Sequence, residues 1–380
     1  MARLNVLTGI DLPADHPGGS MILLDDLYQS PGPFAACAYT LPPTTAATPG
    51  RFRLLDVAGS KAIDQPGHQE WVAAITRALR NAVGDGMGVH IVHCQHLAFG
   101  MTPALIQALP DHPRIGLVHG TDLIYADENP TQLAVLRASA AAMDAIVVPT
   151  NAMGDWLQRL APATDPGKLY RIAWGVPDDL LARPIIPRPR VTGSLKVLFA
   201  GRMTQEKGAL ELVEAARAVP GVELTLIGPP PADPRLRRLL TEPGIGVEHL
   251  GYLPRRELFN AFTRFDLLAV PSTTLEAFCL TAIEAQACAL PVLYQPVPGL
   301  NEVLGASGVA VDFTNHRRLA NVLRTLATDP TTLGTLRAAG VLNARRYPVS
   351  TTIAALAQLS HTVIDARRPR PTSLKEAARA

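Results

Sequence analysis

Two groups of charged residues in the second half of this 380-residue chain have the composition and spacing of an anion grip. The first is Gly201-Arg202-Met203-Thr204-Gln205-Glu206-Lys207-Gly208, which follows the apolar run 196–200 and opens a helical pattern. An arginine and a lysine leaving a strand end beside a helix N-terminus can clamp a diphosphate, because the cations and the backbone N–H groups point at the same anion. Taken alone, the segment reads equally well as a glycine-marked turn with two solvated cations. The second group is Glu276-Ala277-Phe278-Cys279-Leu280-Thr281-Ala282-Ile283-Glu284, after the strand-like run 267–270. Glu276 falls in the loop and Glu284 inside the following helix, so both can face one cleft. Carboxylates accept hydrogen bonds from hydroxyls, which suits such a pair to gripping a sugar and a ribose while the helix N-terminus faces the phosphates between them. A first-turn glutamate favoured by the helix dipole would explain one of the two acids, but not the loop carboxylate or the spacing.

The elements that must position these residues repeat along the chain. Short apolar runs at 4–7, 53–57, 89–93, 115–119, 145–148 and 169–172 alternate with helical patterns, the signature of a parallel sheet with crossover helices. The clearest helix is 70–83, with Trp71, Ile75, Leu79 and Val83 on one face. Pro184, Pro187 and Pro189 then interrupt the pattern and mark a linker over 182–194. The alternation restarts with strands 196–200, 223–227, 267–270 and 292–294 and helices 209–218, 255–263, 281–289, 317–327 and 333–346. The expected fold is α/β, with two Rossmann-like parallel domains facing across a cleft. The first covers 1–181 and is completed by a C-terminal helix over 349–366; the second covers 195–348, and a basic tail, 367–380, is expected to be disordered.

The combination resembles family 4 of the retaining, nucleotide-sugar-dependent glycosyltransferases of GT-B architecture, over most of the chain. The family's arginine and lysine match Arg202 and Lys207, its glutamate pair matches Glu276 and Glu284, and 285–292 follows the family's helix-then-proline continuation. Gly18-Gly19-Ser20 stands where such enzymes carry a glycine pair against the donor phosphates, and His119-Gly120-Thr121-Asp122 where they carry a strand-end histidine. By that resemblance, Arg202 and Lys207, with Gly201 beside them, hold the diphosphate and stabilise the departing nucleotide. Glu284 binds ribose hydroxyls, Glu276 and the backbone of Phe278, Cys279 and Leu280 bind the donor sugar, and His119 contacts the sugar near its reacting face. Configuration is retained by front-face attack, without a protein nucleophile, metal or cofactor. UDP is the default nucleotide. The family commonly has glycine where Cys279 stands and a glycine-containing turn where this chain reads Ile227-Gly228-Pro229-Pro230-Pro231, so the donor site is narrower and its base loop stiffer.

Composition bounds the remaining choices. A 47% hydrophobic, 18% charged chain of this length builds two globular domains, and no stretch approaches the ~18 apolar residues of a membrane span. The early polar residues argue against a secretory leader, so a cytoplasmic protein is expected. Cys37, Cys94, Cys279 and Cys288 read as reduced thiols. Before residue 181 stand 11 basic and 17 acidic residues, net −6, and after it 24 and 16, net +8. The basic half suits an anionic donor, while the acidic half disfavours nucleic acid and anionic membrane. The acceptor expected is therefore a small, soluble, neutral or cationic molecule, with an amino-sugar or aminocyclitol antibiotic intermediate as the specific choice; a homodimer stays open. No Asp-x-Asp triplet is present, which disfavours a metal-held diphosphate. His90, His93 and His96 alternate faces on a strand and read as packed or cleft-lining rather than as metal ligands. Asp25 and Asp26 read as a solvated helix face, and Tyr28, Phe34 and Tyr39 as core packing. Two other readings share the architecture: a non-catalytic nucleotide-sugar-binding partner, and a nucleotide-sugar epimerase or hydrolase.

Overall fold

The computed structural model describes residues 3–29, 31–44, 51–57, 67–182, 194–242, 246–274 and 276–368. Most of the expected 182–194 linker and of the 367–380 tail lies outside the described residues. The first sheet has seven strands, β1 (Leu4–Pro13), β2 (Phe34–Leu41), β3 (Arg53–Leu54), β4 (Ile91–Gln95), β5 (Arg114–Leu117), β6 (Ala145–Val148) and β7 (Leu169–Arg171), in the order β3-β2-β1-β4-β5-β6-β7. The second has six, β8 (Leu195–Ala200), β9 (Val222–Ile227), β10 (Val247–His249), β11 (Leu267–Val270), β12 (Val292–Tyr294) and β13 (Val309–Ala310), in the order β10-β9-β8-β11-β12-β13. All pairings are parallel. Helices cover both faces of such sheets, which is why β6, β11 and β12 are unbroken apolar runs with every residue buried.

In each sheet the strand order reverses beside the first strand, between β1 and β4 and between β8 and β11. The loops leaving those strands part in opposite directions and open a crevice at the carboxyl edge, the place where ligands of parallel sheets bind. The residues that follow β1, β4, β8 and β11 are therefore the ones the topology offers for chemistry.

Three strands were not legible in the sequence. In β2, the small residues Ala35, Ala36, Cys37 and Ala38 hide the apolar alternation, and only pairing with β1, from Leu4 opposite Phe34 onward, makes it a strand. β10 and β13 are three and two residues long and exist by edge pairing alone. Apolar runs mark a strand by its burial, so short edge strands leave little trace.

The final helix, Val349–Arg367, packs on the first domain although it follows the second in sequence. Thr352 Oγ1 donates to the Ala173 carbonyl at 2.8 Å and Arg367 Nε to Asp144 at 2.9 Å, while Leu356 and Val363 join a core shared with Leu4, Ile10 and Leu23. The chain crosses between domains at two adjacent points, where Val176 N–H donates to the Tyr347 carbonyl and Val349 N–H returns a bond to the Val176 carbonyl, each at 2.9 Å. Nearby, Glu302 of the second domain accepts the Asn151 N–H at 2.8 Å and so places a carboxylate at the N-terminus of the helix Asn151–Leu160 of the first. Leu356 is fully enclosed by this packing, so Leu356→Ala should cost about 2–5 kcal/mol, read as a lowered denaturant midpoint. Unchanged stability would show that the helix is not part of the first domain's cooperative core.

Candidate active site

A cavity of about 430 Å³ lies between the two domains at the carboxyl edges of both sheets. Every residue expected at the donor site lines it: Gly18, Gly19 and His119 from the first domain, and Gly201, Arg202, Lys207, Glu276, Phe278, Cys279, Leu280 and Glu284 from the second. A smaller cavity of about 160 Å³ continues past His119 to Tyr125 and Glu128.

The loop leaving β8 carries Gly201 and Arg202, and a single tight turn then presents Lys207. Gly208 ends that turn at φ +65°, where a side chain would strike the Pro271 carbonyl, so the β8 loop lies directly on the β11 loop. Lys207 Nζ donates to the Glu276 carboxylate, and Ser272 Oγ donates to the same oxygen at 3.0 Å. Burial works against the ammonium charge, but the Glu276 carboxylate outweighs it and holds the Lys207 pKa above its ordinary value. The cation expected on the phosphates and the carboxylate expected on the sugar are thus paired with each other. Arg202 is about a third exposed, with Glu206 at 3.9 Å, and faces both cavities.

Glu284 is also engaged. It is 2% exposed in the helix Leu280–Ala287 and accepts from Arg255 Nε at 2.7 Å. The other edge of that guanidinium donates to both oxygens of Asp26 across the cleft, at 2.8 and 2.7 Å. This corrects the solvated face expected at 25–26: Asp25 is solvated beside Arg51, but Asp26 is 3% exposed and belongs to a bridge between domains. Burial raises the Asp26 carboxyl to about 6, against the pull of Arg255. The sequence did carry a trace of this bridge. Arg255 is the first residue of the helix Arg255–Phe262, and Asp26 lies in the last turn of Gly19–Leu27, each opposed by its own helix dipole.

The helix Leu280–Ala287 opens on Cys279, which takes a left-handed φ of +64° that glycine adopts without strain, with a thiol pushed up to about 12 by burial. Phe278 contributes backbone only, since its ring is buried edge-on against Tyr347 with centroids 5.1 Å apart. In the first domain, Gly18 precedes the helix Gly19–Leu27, whose first residues line the same cavity as Arg202 and Lys207. The His119 turn is held by the buried Asp122 carboxylate, which accepts the N–H groups of Leu97, His119 and Gly120 at 2.9, 3.2 and 2.9 Å. A methyl added at Gly120 would lie 2.8 Å from the Ala277 methyl, so the His119 turn lies close against the Glu276 loop. Of the other histidines, His90 accepts the Asn5 N–H, His93 is buried, and His96 lies 4.4 Å from the His119 ring. Among the described residues, no group of three His, Cys, Asp or Glu side chains could hold a metal ion. Tyr28 and Phe34 pack together in the core, as their sequence context implies.

Two parallel α/β domains facing across a cleft, with two cations leaving the first strand of the second domain and one carboxylate in the loop before its opening helix and another within it, have the architecture of the GT-B class of glycosyltransferases. Residues 42–180 match the profile of Glycosyltransferase Family 4, and residues 186–346 that of Glycosyl transferases group 1. The chain is 30% identical over 369 residues to D-inositol 3-phosphate glycosyltransferase 1 of Catenulispora acidiphila, an alignment covering 88% of this chain and 87% of that protein. It is also 30% identical over 225 residues to alpha-maltose-1-phosphate synthase of Mycolicibacterium smegmatis, covering 52% of this chain and 57% of that one. The chain belongs to glycosyltransferase family 4. Its fold superposes on sucrose-phosphate synthase from Thermosynechococcus elongatus with a TM-score of 0.81 at 20% identity, covering 96% of this chain and all 100% of the other. The Anabaena protein HepE, solved with UDP and glucose, gives 0.75 at 17% identity, covering 95% and 100%.

The Asp26 carboxyl holds its proton more tightly folded than unfolded, so it stabilises the fold below its ordinary value of 3.8, and that contribution is lost as pH rises through about 6. Across that window the Tm of wild type should fall relative to that of Asp26→Asn; parallel curves would show that Asp26 is not buried as described. A methyl at Gly299 would overlap the Glu276 carbonyl oxygen. Gly299→Ala should therefore displace the Glu276 loop and lower sugar-transfer turnover about a hundredfold, with little change in the circular dichroism spectrum.

Proposed function

We propose that the protein moves a sugar, with retention of configuration, from a nucleotide diphosphate sugar, by default a UDP-sugar, to a small soluble acceptor. The observation that carries this reading is the convergence of Arg202, Lys207 and the N-terminus of the helix Leu280–Ala287 on one cavity with the Gly18–Gly19 turn opposite. Donor phosphates entering there compete with Glu276 for Lys207, which turns an internal ion pair into a grip on the leaving group. The freed Glu276 carboxylate accepts from the donor sugar's hydroxyls, and Glu284, shared with Arg255, from the ribose. Catalysis is then positioning and charge stabilisation: the two cations take up the negative charge of the departing diphosphate, and the acceptor hydroxyl attacks from the same face. No metal or cofactor enters this scheme, because the cations occupy the role a metal would have.

The acceptor is inferred from the first domain. The described residues it contributes to the two cavities include His16, Ser20, His96, Thr121, Tyr125 and Glu128 but no lysine or arginine. A phosphorylated acceptor, of the kind the names of the inositol-phosphate relatives imply for those enzymes, would find no cation there apart from those already committed to the donor. An uncharged or aminated polyol, of the amino-sugar or aminocyclitol class found in antibiotic assembly, fits hydroxyl acceptors and an acidic rim better.

A thermal-shift screen of nucleotide diphosphates and their sugars tests the donor. A ligand at a hundredfold its dissociation constant adds ~2.7 kcal/mol of stability, and Lys207→Ala should remove ~1.5–3 kcal/mol of that binding while the unliganded protein stays folded. Nucleotide release that depends on an added aminocyclitol supports the acceptor assignment; turnover without any acceptor would replace it with epimerase or hydrolase chemistry.

A further inference from the structure

His119 reaches into the cavity from the end of a chain of buried polar side chains that no part of the donor grip accounts for. Its Nε2 is 2.9 Å from Gln95 Oε1. Gln95 Nε2 donates to Thr8 Oγ1 at 3.0 Å and to Tyr28 OH at 3.1 Å. Tyr28 OH lies 2.8 Å from His93 Nδ1, and His93 Nε2 lies 3.0 Å from Ser360 Oγ on the helix Val349–Arg367. Thr8, Gln95, His93 and Ser360 are each no more than 1% exposed, and Tyr28 is 6% exposed. Solvent therefore has no part in ordering these bonds.

Counting donors gives the chain one direction. Thr8 Oγ1 spends its proton on the His93 carbonyl at 2.7 Å, and Ser360 Oγ spends its own on the Leu356 carbonyl, also at 2.7 Å, so each can only accept from its other neighbour. His93 must then donate through Nε2 to Ser360, and its Nδ1 must accept from Tyr28. Tyr28, having given its proton to His93, accepts from Gln95. With both amide hydrogens of Gln95 used on Thr8 and Tyr28, the amide oxygen is the atom facing His119, and His119 must supply the proton from Nε2. Burial reinforces the assignment, since it lowers His93 to about 3 and keeps that ring neutral.

We infer that Gln95, Tyr28 and His93 are positioning residues that hold His119 with a proton on Nε2, directed at Gln95, and that the lock is anchored at Ser360 on the final helix. The inference rests on the proposed role of His119 toward the sugar. A ring free to exchange tautomers would hold one orientation and protonation pattern for only part of the time, and the partner that orients an imidazole is a recognised control on its chemistry. The anchor also makes the docking of the last helix part of the active site: if the helix leaves the first domain, the donor count at His93 no longer closes.

Two variants test this. Gln95→Leu removes the acceptor next to His119, and Tyr28→Phe breaks the chain one step further in, at a residue that does not line the cavity, while keeping the ring that packs on Phe34. Each should lower kcat by about ten- to a hundredfold and leave the donor KM within about twofold. In Gln95→Leu, the ring-nitrogen chemical shifts of His119 should move from those of a single Nε2–H form toward a mixture of tautomers, a change that general loosening of the fold would not produce; in Tyr28→Phe, where Thr8 still takes one amide hydrogen of Gln95, the move should be smaller. Unchanged kcat together with an unchanged His119 tautomer in both variants overturns the inference. If wild type transfers no sugar from any nucleotide sugar, the proposed function fails on its own account. The tautomer signal still decides the relay: a shift in Gln95→Leu keeps it, and the absence of one removes it.

Discussion

One guanidinium ties the two domains together across the cavity. Arg255 begins a helix, where the dipole opposes a cation, and it is mostly withdrawn from water. It is stable there because Asp26 and Glu284 meet its two edges from opposite sides of the cleft. The converse also holds: two carboxylates each about 3% exposed could not both stay charged without the cation between them. Opening the cleft would separate Arg255 from Asp26, and any hydroxyl bonded to Glu284 would compete with Arg255 for the same oxygens. Domain geometry and the state of Glu284 are therefore coupled through one residue.

The same economy runs through the rest of the cleft. Before any ligand arrives, its opposite charges satisfy each other, Lys207 with Glu276 and Arg255 with Glu284 and Asp26. Buried charges left unpaired would be costly, and these pairs keep the site preformed without an ion or substrate in place. An anion entering beside Lys207 would have to displace Glu276, which favours a ligand carrying more than one negative charge over a single carboxylate.

The first domain is built differently. Its net charge is negative, the polar part of its lining of the main cavity is histidine, serine, threonine and tyrosine, and the turn that carries His119 is ordered by hydrogen bonds. The buried path from His119 to Ser360 is satisfied at each link in one direction only, so it specifies a protonation pattern as well as a shape. One half of the cleft thus presents paired charges and the other mostly uncharged polar groups.

Much of this was written locally. Apolar runs at strand spacing gave β6, β8, β11 and β12, because a strand buried on both faces needs little else. Arg202, Lys207, Glu276 and Glu284 stood out because residues leaving a strand end or opening a helix keep their neighbours in sequence as neighbours in space. Asp26, Arg255 and Gln95 did not stand out. Asp26 and Arg255 are 229 positions apart, and Gln95 joins His119 to a helix that begins at Val349. No periodicity links such residues; they meet only when the two sheets close on one another and the last helix returns to the first domain. The sequence by itself determined which chemistry could be assembled, because strand-end loops carry their residue types with them. The tertiary structure alone decided which charges neutralise one another and which way the protons point, because those depend on atoms that only packing brings within a few ångströms.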